Sequence, residues 1–149
     1  MTKAVFLDRD DTICKDVPYC SDPHDLLLIE GAGEALFRLK KEGFLLLLVT
    51  NQSGISRGYF THEVLFKIHD KMQNDLLKFG VLLDDIFYCP CHPSEGCEDR
   101  KPEIGMFLQA SKKYNIDKGQ SYMIGDKGID IRAGKKYGVR TILVTNKDE

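Results

Sequence analysis

The chain has 149 residues, enough for one domain that buries roughly 68–70% of its unfolded surface without needing a covalent staple. Its 21 Lys+Arg against 23 Asp+Glu give a formal charge of −2, with acids and bases interspersed, which disfavours a generic nucleic-acid or membrane-surface binder. No run approaches the ~18 apolar residues of a membrane span, and MTKAVFLDRDD meets acids before a signal-peptide hydrophobic region can form, so the expectation is a cytoplasmic, monomeric protein.

The apolar run Ala4–Leu7 opens the chain as a buried strand, and Ala32–Glu42, stopping at Gly43, is a helix. Leu45–Val49 does not alternate with polar residues, which suits a strand covered on both faces, as in a parallel sheet. In Thr61–Phe79, Val64, Leu65, Ile68, Met72, Leu76 and Phe79 recur at three- and four-residue steps, with Thr61 as cap and Gly80 as stop, so this helix packs a core. A weaker strand at Ile86–Tyr88 precedes a helix at Glu103–Tyr114, which follows Pro102, then a strand at Tyr122–Ile124, a short helix at Ile129–Tyr137 and a last strand at Thr141–Val144. Strands alternating with helices imply βαβ units and an α/β parallel sheet with helices on both faces.

Ligands of such sheets bind beyond the carboxyl ends of the strands. Polar residues converge there: Asp8-Arg9-Asp10 after the first strand, Thr50-Asn51-Gln52-Ser53 after the second, and Gly125-Asp126-Lys127 after Tyr122–Ile124. Asp8 and Asp10 repel one another unless neutralised, and a hard divalent cation such as Mg²⁺ neutralises them, with Asp126 as a further oxygen ligand. The loop after Thr50 offers hydroxyls and backbone N–H groups that suit phosphate oxygens, and Lys101 adds a point charge.

The segments Phe6–Ile13, Val49–Ile55, Arg100-Lys101-Pro102 and Met123–Lys127 resemble, in order, the four motifs of the haloacid dehalogenase (HAD) phosphatase superfamily. Within it the chain is similar to the small cap-less subgroup that includes heptose bisphosphate phosphatases and histidinol-phosphate phosphatases. The resemblance spans almost all of residues 1–149 and implies a single HAD-like domain, a three-layer Rossmann-like sheet without a cap. It implies a Mg²⁺-dependent phosphomonoesterase in which Asp8 attacks phosphorus, Asp10 serves as acid and then base, and Thr50 and Lys101 hold the phosphoryl group. Asp8, Asp10 and Asp126 would bind Mg²⁺.

The implied substrate is a small phosphorylated molecule, foremost a sugar bisphosphate such as heptose 1,7-bisphosphate. Histidinol phosphate is the close rival, and a nucleic-acid 3′-phosphate is a more distant one. Asp16, Tyr19, Asn51, Ser53, Arg100 and Lys127 would contact it, with Arg100 suited to a second anion. Asp130, four residues beyond Asp126, either orients Lys127 or the metal's waters or acts as a helix-start acid. Asp11 stands where the family usually has glycine, and the turn is expected to survive this.

Three of five cysteines fall in the loop 89–99. Related proteins carry zinc in this loop on Cys-x-His and Cys-x-Cys pairs. The corresponding ligands here are Cys89, Cys91, Cys97 and Asp99, with His92 as an alternative, so a structural Zn²⁺ is expected. Cys14 and Cys20 read as free thiols.

Overall fold

The computed structural model describes residues 1–145. Five strands, β1 (Ala4–Leu7), β2 (Leu45–Asn51), β3 (Asp85–Cys89), β4 (Tyr122–Gly125) and β5 (Arg140–Leu143), form one sheet in the order β3-β2-β1-β4-β5. Every neighbouring pair is parallel. The helices are α1 (Ala32–Lys41), α2 (His62–Leu77), α3 (Gly105–Lys113) and α4 (Gly128–Tyr137).

The unbroken leucine run of β2 is explained by the two layers it serves. Leu46 and Leu48 join Val5 and Leu7 against Leu36 of α1 and Ile68, Met72 and Leu76 of α2. Leu47 and Val49 join Ala4 and Phe6 against Met106 and Phe107 of α3 and Ala133 and Tyr137 of α4. Successive side chains of a strand point to opposite faces, so a strand sandwiched between helix layers must be apolar at every position.

Thr61 caps α2 by accepting a hydrogen bond from the Val64 amide, and Gly138, at φ 106°, ends α4. The expected start of α3 at Glu103 is corrected to Gly105. Pro102 sits in a preceding turn, where the Glu103 amide bonds to Arg100 O and the Gly105 amide bonds to Glu98 O. The last expected strand is likewise shifted by one, to Arg140–Leu143, and the Val144 amide closes its ladder by bonding to Gly125 O of β4.

The chain order reverses at β1: β2 and β3 lie on one side, β4 and β5 on the other. This reversal opens a crevice beyond the carboxyl ends of β1 and β4, where Asp8 and Asp126 emerge.

Candidate active site

Lys101 is the hub of the crevice. Its ammonium is buried and donates to Asp8 Oδ1 at 2.9 Å and Asp130 Oδ1 at 2.7 Å. Burial works against its charge, but the two carboxylates outweigh that and raise its pKa, so it remains an ammonium. Asp130 is the second positioning group: its other oxygen accepts from the Lys127 amide at 3.1 Å at the start of α4. That bond makes Asp130 a helix-start acid on the Lys127 amide, one of its two sequence readings, while its other oxygen holds Lys101.

Gly125 makes this possible. A Cβ there would lie 2.5 Å from Asp130 Cγ, so only glycine lets the α4 carboxylate tuck against the end of β4.

Asp126 completes the acidic group. Its Oδ1 is buried and has no hydrogen-bond partner among the described residues. Asp8, Asp126 and Asp130 each present an oxygen within 4.8 Å of the others. Burial, followed by the charge and hydrogen bond of Asp8, pushes the Asp126 carboxyl up to about 7. Three clustered carboxylates, two of them on one ammonium, with an orphaned oxygen among them, form a donor set that suits a hard divalent cation.

Asp10 lies beside this group and is aimed by residues that sequence reasoning passed over. Arg9 is 1% exposed and grips Asp10 with Nε to Oδ1 at 2.9 Å and Nη2 to Oδ2 at 3.2 Å. Behind it, Arg9 Nη1 donates to His69 Nε2 of α2 at 3.2 Å. An arginine has only donors, so His69 accepts there and carries its proton on Nδ1. Burial first, then Arg9, pushes His69 down to about 3, keeping it neutral. The only hint in the sequence was a histidine next to Ile68 on the apolar stripe of α2.

The expected phosphate loop is present, with its polar groups already engaged. Gln52 donates to Thr50 Oγ1 at 2.9 Å. Asn51 accepts from the Lys101 amide at 3.0 Å and donates to Lys101 O at 3.1 Å, a two-point clamp between β2 and the lysine loop. Asp11 adopts φ 61°, so the turn survives without glycine, and its Oδ1 accepts from the Asp16 amide.

Two cavities border the site, one at Asp10 and one at Lys101. One, of about 300 Å³, gathers Asp10, Asp16, Tyr19, Asn51, Ser53 and Lys127, six of the expected site residues. The other, of about 460 Å³, is lined by Arg100, Lys101 and the loop residues Pro93, Gly96 and Cys97. Arg100 is therefore separated from the other expected substrate contacts, and its Nη1 donates to Cys91 O at 3.1 Å.

The structure does not bring all of the expected zinc ligands together. Cys91 and Cys97 form a disulfide, and sulfurs bonded to one another are not thiolate ligands. Cys89 is buried with a free thiol, as are Cys14 and Cys20. Asp99 Oδ1 lies against Gly105, and His92 Nδ1 caps a single turn by accepting from the Ser94 amide. The carboxylate that does approach the two sulfurs is that of Glu95. The predicted set of Cys89, Cys91, Cys97 and Asp99, with or without His92, is not assembled.

Residues 98–148 match the HAD-hydrolase-like family model. A D-glycero-beta-D-manno-heptose-1,7-bisphosphate 7-phosphatase of Haemophilus ducreyi (strain 35000HP / ATCC 700724) is 48% identical over 93% of this chain and 80% of its own length. The chain belongs to the HAD phosphatase family. A second enzyme of the same name, from Haemophilus influenzae (strain ATCC 51907 / DSM 11121 / KW20 / Rd), is 47% identical over 99% of this chain and 84% of its own length. Among solved structures, D,D-heptose 1.7-bisphosphate phosphatase from B. bronchiseptica, complexed with magnesium and phosphate, superposes with a TM-score of 0.90 at 34% identity, covering 95% of this chain and 80% of that one. The HAD phosphatase fold and the crevice of Asp8, Lys101, Asp126 and Asp130 thus coincide in one molecule. Among the described residues no helix is long and apolar enough to cross a membrane.

Proposed function

We propose that this phosphatase is a Mg²⁺-dependent enzyme that removes the 7-phosphate of D-glycero-β-D-manno-heptose 1,7-bisphosphate through an aspartyl phosphate on Asp8. The observation that carries the chemistry is Lys101, buried between Asp8 and Asp130 beside the orphaned Asp126 oxygen. The substrate rests on the names of relatives at 47–48% identity. Asp8, Asp126 and the backbone carbonyl of Asp10 would hold Mg²⁺, which when bound supplies positive charge to the phosphoryl oxygens.

The chain's own residues divide the remaining work. Lys101 fixes one oxygen of Asp8, which leaves the other to attack phosphorus while the bond from phosphorus to the sugar oxygen breaks. Asp10, held by Arg9, gives its proton to that departing oxygen. Asp10 then takes a proton from the water that attacks the aspartyl phosphate, releasing inorganic phosphate and restoring Asp8. Lys101 and the loop from Thr50 stay close to charge that spreads over the phosphoryl oxygens, so positioning and electrostatics supply most of the catalysis.

Asp8→Asn tests the reading. Phosphate release from the heptose bisphosphate should fall by at least about a thousandfold, since an amide cannot act as the nucleophile. Chelation of divalent cations should abolish wild-type turnover, and added Mg²⁺ should restore it. An Asp8→Asn enzyme with wild-type turnover overturns the nucleophile assignment.

A further inference from the structure

The buried face of α2 carries one residue that core packing does not call for. Its other members are Leu65, Ile68, Met72 and Leu76, and a further aliphatic side chain would fill the place of His69 without a polar atom to satisfy. What the imidazole supplies instead is an acceptor for Arg9 Nη1, 3.2 Å from His69 Nε2. His69 lies outside the four motif segments, sixty residues from the arginine it holds.

Arg9 is pinned at its other end too. Its carbonyl accepts from the Ile13 amide at 2.9 Å and the Cys14 amide at 3.0 Å, so its main chain is fixed in the turn after β1. The remaining edge of the guanidinium, Nε and Nη2, meets the two oxygens of Asp10 side by side. A guanidinium is planar, so holding Nη1 fixes the plane in which the opposite edge presents its donors. Asp10 has no such enclosure of its own: its side chain is 24% exposed and lines the smaller cavity.

A general acid passes its proton along a short path to the departing oxygen, and a small misplacement slows the step. We propose that His69 is a positioning residue for catalysis, which through the plane of Arg9 sets the direction in which Asp10 faces the leaving alcohol. The role rests on Asp10 being the acid of the reaction, as given above.

Phenyl phosphate and 4-nitrophenyl phosphate test it, because they are close in size while nitrophenolate departs as a stable anion and phenolate calls for a proton. Their kcat/KM values report the steps through formation of the aspartyl phosphate, before water attacks. His69→Leu should lower kcat/KM about tenfold or more for phenyl phosphate and less than about threefold for 4-nitrophenyl phosphate. His69→Gln, whose side-chain oxygen accepts from Arg9, should restore both to near wild type. A histidine with a structural role alone would reduce the amount of active protein and scale both esters equally. His69→Ala, which also lacks the acceptor, serves where the leucine variant does not fold. Arg9→Lys keeps the charge without the fork and should show the same selective loss. Equal losses on both esters, no loss in His69→Leu, or a His69→Gln enzyme as impaired as His69→Leu overturn the role of His69. Asp10→Asn separates the two readings. A selective loss in Asp10→Asn without one in His69→Leu removes the histidine alone, whereas equal losses in Asp10→Asn remove the acid assignment and the inference with it.

Discussion

His69 makes stability depend on pH in a way that can be worked out in advance. Its imidazole is held neutral at about 3 in the folded protein against an ordinary value of 6.5, because it is buried and faces Arg9. Below pH 6.5 the unfolded chain binds a proton that the native state refuses, so this residue's contribution to stability is lost as the pH falls from about 6.5 towards 3. Each unit in that window is worth about 1.4 kcal/mol, so at pH 5.0 the loss is about 2 kcal/mol relative to pH 7.5. Asp126 acts in the opposite sense in the metal-free protein: its raised carboxyl binds a proton more readily when folded and adds stability as the pH falls below about 7. A wild-type profile therefore mixes two opposed trends, and the difference between proteins isolates one of them. Urea unfolding of wild type and His69→Gln at pH 7.5 and 5.0 should show the wild type losing about 2 kcal/mol more than the variant between the two conditions. Glutamine keeps an oxygen able to accept from Arg9. Parallel losses in the two proteins would refute the assignment of a neutral, buried His69 behind Arg9.

Other expectations follow from single contacts. Gly125→Ala should push the Asp130 carboxylate away from Lys101 and cut kcat by about tenfold to a hundredfold, at a cost of about 1–3 kcal/mol in stability; kinetics and thermal melting check both, and an enzyme with unchanged kcat contradicts the tight packing. Asn51→Asp removes the donor to Lys101 O and sets a carboxylate against a carbonyl, which should destabilise by about 1–3 kcal/mol and lower turnover, as read by urea titration and initial rates. Thiol titration of denatured, unreduced protein should find three reactive thiols out of five cysteines, with all five after reduction. Five thiols without reductant, accompanied by an equivalent of zinc, would restore the metal loop in place of the disulfide.

Asp8, Thr50 and Asp126 were legible because each falls at the carboxyl end of a strand, and strands buried on both faces announce themselves as apolar runs. Asp8, Asp126 and Lys101 are far apart in sequence, yet the parallel topology leaves them only one crevice to meet in. The supporting residues were harder to see. Arg9 reads as one more charge in an acidic turn until α2 delivers His69 behind it, and no local pattern links positions sixty residues apart. The cysteine loop was harder to read for a different reason: ligand-rich pairs define who is available for a metal but not the path of the loop. Here the path takes Asp99 towards the start of α3 and leaves Cys91 facing Cys97.

The Asn51 clamp has a bearing on how such an enzyme can change its substrate. Because the lysine's own peptide group is fastened to the end of β2, the position of Lys101 does not depend on the eleven residues that lead to it from β3. That segment is free to lengthen, shorten or exchange one cross-link for another, and doubling a flexible loop costs only about 0.6 kcal/mol. Evolution, or an engineer, can therefore rewrite the wall beside Arg100 as an interchangeable part while the buried Lys101 ammonium keeps its station on the sheet.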